Sequence, residues 1–298
     1  MTVRLGLGTY RCPDVSQAAA MAATHGADWV DTAPNYGGGQ AEASLAPVLA
    51  LYPGLRVSTK VGFVPLSAAR IGLRAGALSS EDAERGHCLA PDYVAWQVAR
   101  SGRMLGRCPD LVFLHNPEHG CDDGQIADRI SAAFLALEEA CREGAIGAYG
   151  VATWDGFSSG VFDVAMLLEL ASEAGGPQHH LRALQLPISL VHLAPVAEVL
   201  EGRGVLSDAV EAELEVFASA PLHGGQLPDM ITRELSGLIS PGSTAGQAAL
   251  AVVASAPGVR RVLLSTGNPQ HWTRATDAVG WPPLSRDSLR RITDVLGT

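Results

Sequence analysis

The chain has 298 residues, 47% hydrophobic and 17% charged, which is ample apolar content for a large folded core and excludes a disordered or low-complexity chain. A formal net charge of −10 argues against nucleic acid or an anionic membrane as partner, because both call for a basic surface. No apolar run approaches the roughly 18–20 residues that span a bilayer, and five cysteines without a C-x-x-C pair point away from a disulfide framework and towards a reducing, cytoplasmic setting.

Short runs rich in Val, Ile and Leu recur in chain order, and their composition and length predict strands over 4–9, 27–32, 55–61, 110–115, 146–152, 182–188, 214–219 and 260–266. The stretches between them carry helical spacing. In 131–143, Ala133, Leu137 and Ala140 fall three or four apart, with Glu138, Glu139 and Arg142 on the other side. The stretch 92–107 repeats this with Val94, Val98 and Leu105. Strand–helix alternation implies a parallel sheet, because parallel strands need crossover connections. Eight repeats imply closure into an α/β structure of the (β/α)8 type, a single domain over 1–298. The open dinucleotide-binding sheet fits less well, since Gly6-Leu-Gly8 lacks the third glycine of its fingerprint. The segment 62–91 reads as a long, irregular loop on the substrate side.

In such a barrel the chemistry sits at the C-terminal strand ends. The second run ends Asp31-Thr-Ala-Pro-Asn-Tyr36-Gly, the third ends Ser58-Thr-Lys60, and the fourth ends Leu114-His115-Asn-Pro. Lys60 is the one lysine in the chain, against twenty arginines, so an amine with a movable pKa has been kept at this place alone. A free phenol, with a pKa of about 10, gives up its proton poorly at neutral pH, and a nearby ammonium is expected to lower that value. Asp31 would hold the lysine charged, and a neutral His115 would orient a substrate oxygen. Tyr36 is then a general acid towards a carbonyl oxygen, or a phenolate base in the reverse direction.

Together with Gly6-Leu-Gly-Thr9, Glu143-Gly-Ala-Ile-Gly-Ala-Tyr-Gly150, Gln185 and Pro221-Leu-His-Gly-Gly225, these segments resemble the aldo-keto reductase superfamily over nearly the whole chain. The resemblance implies a barrel that binds NADPH or NADH in extended form and a small-molecule carbonyl or alcohol as substrate. In that scheme Tyr36 is the acid, Lys60 and Asp31 tune it, and His115 positions the carbonyl. It further implies cofactor contacts from Thr153, Gln185, Ser219, Pro221, Leu222, Gly224, Ser265 and Asn268. Several positions depart from the family. Ala152-Thr153 stands where Ser-Asn is usual, Ser219 where an aromatic stacks on the nicotinamide, and Gly267 and Ala275 where contacts to the 2′-phosphate and adenine fall. Arg274 is the nearest cation. A barrel without nicotinamide therefore stays open as the alternative: a redox-neutral dehydratase, lyase or isomerase acting next to a carbonyl through Tyr36 and Lys60.

Arg11 and Trp154 follow the first and fifth runs on the same rim and are candidate substrate contacts, with a surface ion pair and simple core packing as their respective alternatives. Arg70 and Arg74, among apolar residues of 62–91, suggest a sizeable substrate with an anionic group. Glu118 reads as a solvated rim residue. Cys12 and Cys121 lack a base beside them, and no metal site is expected from His179-His180, since adjacent histidines do not converge on one ion.

Overall fold

The strand runs sort their side chains to two faces, and that sorting places the site. The computed structural model describes residues 2–120 and 123–297. Its strands are β1 (Arg4–Gly8), β2 (Trp29–Asp31), β3 (Arg56–Val61), β4 (Leu111–His115), β5 (Tyr149–Ala152), β6 (Leu181–Pro187), β7 (Glu215–Ser219) and β8 (Val259–Leu264). Each pairs in parallel with the next and β8 pairs with β1, closing an eight-stranded (β/α)8 barrel. Among the described residues no helix is long and apolar enough to cross a membrane.

Successive residues of a strand point to opposite faces. One set, including Val30, Val57, Leu114, Val151, Val216 and Val262, packs outward into the layer shared with the helices. The other set fills the barrel interior: Trp29, Leu111, Phe113, Ala183, Phe217 and Leu263 form a separate cluster. Its floor is Trp29 between two guanidiniums, Arg56 at 4.5 Å and Arg261 at 4.8 Å from the ring, with Arg261 paired to Asp28 at 2.6 Å. Two residues further along the same inward faces stand Asp31, Lys60, His115, Gln185, Ser219 and Ser265. The site is thus one side-chain layer above the packed core.

Gly150 marks where the interior is tightest. A Cβ there would run into the Ala183 carbonyl and lie 2.8 Å from Cε1 of Phe113. Gly150→Ala is expected to cost at least about 1–3 kcal/mol through overpacking, read as a lower urea midpoint at unchanged m-value. An unchanged midpoint would mean that the barrel wall yields there.

The segment 62–91 is not the irregular loop its sequence suggests. It holds helices Leu66–Arg74 and Ser80–Arg85 and an antiparallel bridge between Phe63 and His87. Ser79 caps the second helix by accepting the Asp82 N–H, and left-handed Gly86 ends it. Leu78, Cys88 and Tyr93 bury a small core of their own beneath the segment. Of the segment's apolar residues, Leu78 and the partly buried Val64 pack into that core, whereas Leu66, Ile71 and Leu73 are exposed. The flanking helices lie where spacing puts them, at Pro91–Leu105 and Ile126–Arg142.

Candidate active site

Lys60 is only 1% exposed, and its Nζ lies 2.6 Å from Oδ2 of Asp31 and 3.0 Å from the Thr32 carbonyl. The other Asp31 oxygen accepts from Ser58 Oγ at 2.7 Å and from Gln185 Nε2 at 3.1 Å. Ser58 in turn accepts the Trp29 indole N–H at 2.9 Å. The packed interior therefore orients the carboxylate, and the carboxylate orients the amine.

Tyr36 opens a short 3-10 turn, Tyr36–Gly39, whose Gly37, Gly38 and Gly39 have φ of 55°, 63° and 87°. Only glycine enters that region freely, and the turn swings the phenol back over the barrel. Its ring centroid lies 5.0 Å from Lys60 Nζ, 5.1 Å from Tyr10 and 6.1 Å, edge-on, from His115. Asp31, Tyr36, Lys60 and His115 thus come together at one place.

Their electrostatics differ in one respect from the simple expectation. Burial disfavours the phenolate and raises the pKa of Tyr36. Lys60 lowers it, but the Asp31 charge raises it again, and the net value is above that of an ordinary tyrosine. The ammonium is half of a neutral pair, so its pull on the phenol is muted. For Lys60, burial lowers the pKa, yet the Asp31 carboxylate and Tyr36 outweigh it and hold the amine above its usual value. Burial, with Lys60 adding positive charge nearby, holds His115 well below an ordinary histidine. The resting set is a neutral phenol, an ammonium and a neutral imidazole.

Above them opens a cavity of about 680 Å³, within the range of roughly 300–1,000 Å³ common to small-molecule sites. Thr153, Gln185, Ser219, Pro221, Leu222, Gly224 and Ser265 line it, as do Arg11 and Trp154. Asn268 does not. Its side chain accepts the Gln270 N–H at 2.9 Å and caps helix Pro269–Val279. Arg274 is exposed and outside the lining, and Ala275 is buried in the core.

Thr153 faces the cavity with its hydroxyl already engaged: it donates to Oε1 of Glu118 at 2.6 Å and accepts the Gly156 N–H at 2.7 Å. The same Glu118 oxygen accepts the N–H groups of Trp154 and Asp155. Glu118 is therefore a clasp from the β4 loop onto the β5 loop and not a solvated rim residue. Arg11, with φ of 55°, lies 5.3 Å over the Tyr10 ring, and its Nη1 would be 3.3 Å from a Cβ on Gly224. It spans the mouth from β1 to the β7 loop. Trp154 is 44% exposed and meets His192 edge-on at 5.6 Å.

Tyr10, Asn35, Phe63, Asn116 and His223 also line the cavity and had no signal in strand spacing, because each sits on a loop whose path the sequence leaves open. Of the segment 62–91 only Phe63 reaches the cavity, while Arg70 and Arg74 are exposed outside it. Cys12 is buried, with its Sγ 3.5 Å from the Asp14 carbonyl, and Cys121 lies outside the described residues.

Comparison with known proteins follows the same lines. The sequence pattern of the Aldo/keto reductase family matches residues 2–236. Among curated proteins no sequence matches. Among solved structures, the aldo-keto reductase of Klebsiella pneumoniae in complex with NADPH superimposes with a TM-score of 0.67 at 20% identity, covering 99% of this chain and 91% of that one. The holo form of an aldo-keto reductase from Bacillus halodurans gives 0.70 at 18% identity, covering 99% and 92%. At such identity these likenesses speak for the fold.

Proposed function

The chain belongs to the aldo/keto reductase family, and on that premise we propose that it reduces an aldehyde or ketone with a nicotinamide cofactor, using Tyr36 as the proton donor. The observation that carries this reading is the fully buried Lys60, held by Asp31 at 2.6 Å beneath the Tyr36 ring. A buried cation is costly unless paired, and this one is paired where a phenolate would form.

The cavity of about 680 Å³ would take a nicotinamide nucleotide, and the β7 loop, with Gly224 and Gly225 at φ of 67° and 90° and the Arg11 guanidinium alongside Gly224, would hold its diphosphate. Gln185, whose nitrogen donates to Asp31, would offer its amide oxygen to the carboxamide. Ser219 and Ala152 would flank the ring. The bound nicotinamide supplies the hydride.

The protein's own residues do the rest. His115, neutral at working pH, donates an N–H to the substrate carbonyl oxygen and fixes its direction. As that oxygen gains an electron pair, the Tyr36 O–H transfers its proton to it. The phenolate left behind faces the Lys60 ammonium, which lowers the energy of the charge as it develops. Phe63 and Tyr10 wall the approach from the β3 and β1 sides. Burial keeps the phenol protonated, so carbonyl reduction runs at neutral pH, while alcohol oxidation, which starts from the phenolate, rises only on the alkaline side.

A redox-neutral reaction next to a carbonyl is the second reading. It is favoured by the cofactor wall, where the Thr153 hydroxyl is committed to Glu118 and Ser219 offers no ring to stack on. Titration with NADPH and NADH, read by calorimetry or tryptophan quenching, separates the two. Micromolar binding of either, followed by turnover of a carbonyl compound, supports the reductase. Absence of binding at millimolar concentration overturns it in favour of the redox-neutral reading.

A further inference from the structure

The β3–β4 junction holds a second buried histidine that the reaction above does not use. His87 is 0% exposed and lies at the end of the 62–91 segment, opposite Phe63 in the antiparallel bridge. Its Nε2 is 2.9 Å from the backbone carbonyl of His115. That carbonyl has lost its strand neighbour. The β3–β4 register ends at Val61 and Leu114, Gly62 turns away with φ of 132°, and the Gly62 carbonyl accepts the Cys88 N–H. The next residue along β4, Asn116, takes φ of 47° and gives its N–H to the Ala152 carbonyl.

The junction is built around the imidazole. A Cβ on Gly62 would fall 2.9 Å from Nε2 of His87 and 3.0 Å from the His115 carbonyl oxygen, so the close approach requires glycine there. The Phe63 ring is wedged between the two histidines, edge-on at 5.0 Å to His87 and 4.8 Å to His115, and lines the cavity. Burial pushes the pKa of His87 down to about 4, so at working pH it carries a single proton. A carbonyl partner requires that proton on Nε2. Nδ1 then has no partner, which costs free energy in a buried site. A phenyl ring would fill the space without that cost, so packing alone does not account for an imidazole here.

We infer that His87 is a positioning residue for His115: its Nε2–H holds the His115 carbonyl, fixes the peptide at the end of β4, and thereby sets the His115 imidazole against Tyr36 and the substrate oxygen. The role in turnover rests on the reductase reading of His115; the role in placement does not. His87→Phe removes the donor and keeps the bulk, while His87→Gln keeps an N–H donor on a flexible stem. A small misplacement of a catalytic group lowers rate by up to about 100-fold. His87→Phe should therefore lower kcat by roughly 10- to 100-fold with KM for NADPH unchanged, and His87→Gln should recover most of it.

The histidine-labelled protein supplies a readout independent of turnover. The 15N imidazole resonances of His115 should move in His87→Phe and return towards wild type in His87→Gln. Full kcat in His87→Phe, equal impairment of both variants, or an unmoved His115 resonance would each overturn the inference. If the wild-type protein reduces no carbonyl compound, the reductase reading falls, and the resonance then decides the positioning by itself.

Discussion

Tyr36→Phe is expected to lower kcat for carbonyl reduction on the order of 10²- to 10⁴-fold, the span of a general acid's contribution, while the melting temperature and NADPH affinity hold. Only an oxygen is removed. The ring keeps its contacts with Tyr10 and His115, and Lys60 keeps Asp31 and the Thr32 carbonyl as acceptors, so no buried charge is stranded. The loss belongs to kcat because proton transfer occurs in the transition state and not in binding. The pH profile carries a second signature. In the wild type, the phenol's raised pKa should leave reduction flat through neutral pH and push alcohol oxidation to the alkaline side. That alkaline rise should vanish from the residual activity of Tyr36→Phe. Turnover at the wild-type rate in this variant would show that another group moves the proton.

Legibility in the sequence followed the backbone's own periodicities. The eight strands were readable because apolar runs at helix-length spacing permit little else, and Asp31, Lys60 and His115 because period-2 alternation carries inward-facing residues up to one rim. Three things escaped for a common reason: they depend on loop conformation. The clasp of Glu118 on Thr153 joins residues 35 apart in sequence. Asn268 turned into its own helix as a cap, a role its place before Pro269 could have signalled. The junction of Gly62, His87 and His115 needs the 62–91 segment to fold back, and the sequence gives no register for that. The sign of the Tyr36 shift was missed on physical grounds. Counting Lys60 as a free cation overlooks that Asp31 neutralises it at 2.6 Å and that burial weighs on the phenolate first.

That same pairing makes Lys60→Met a strongly destabilising change. Methionine keeps the stem's volume and removes the charge, so packing is nearly conserved, but Asp31 is left buried with only Ser58 and Gln185 as donors. Breaking a buried pair by removing one partner costs about 3–5 kcal/mol, because the other charge stays behind. Denaturant unfolding at neutral pH should show a loss of that order, and Asp31→Asn in the Lys60→Met background should restore most of it by removing the stranded carboxylate. The pH dependence has a fixed sign. Lys60 is raised above its ordinary value of 10.5, so its contribution is full below that pH and lost as pH rises through the native value. The wild type should therefore weaken in that alkaline window, and Lys60→Met should lack this component. Turnover separates structure from chemistry. The double variant regains stability yet stays slow, because no ammonium remains to meet the phenolate as the Tyr36 proton departs. A double variant that regained kcat along with stability would assign Lys60 to the fold alone, and a Lys60→Met protein as stable as wild type would mean that the Asp31 carboxylate does not need its partner.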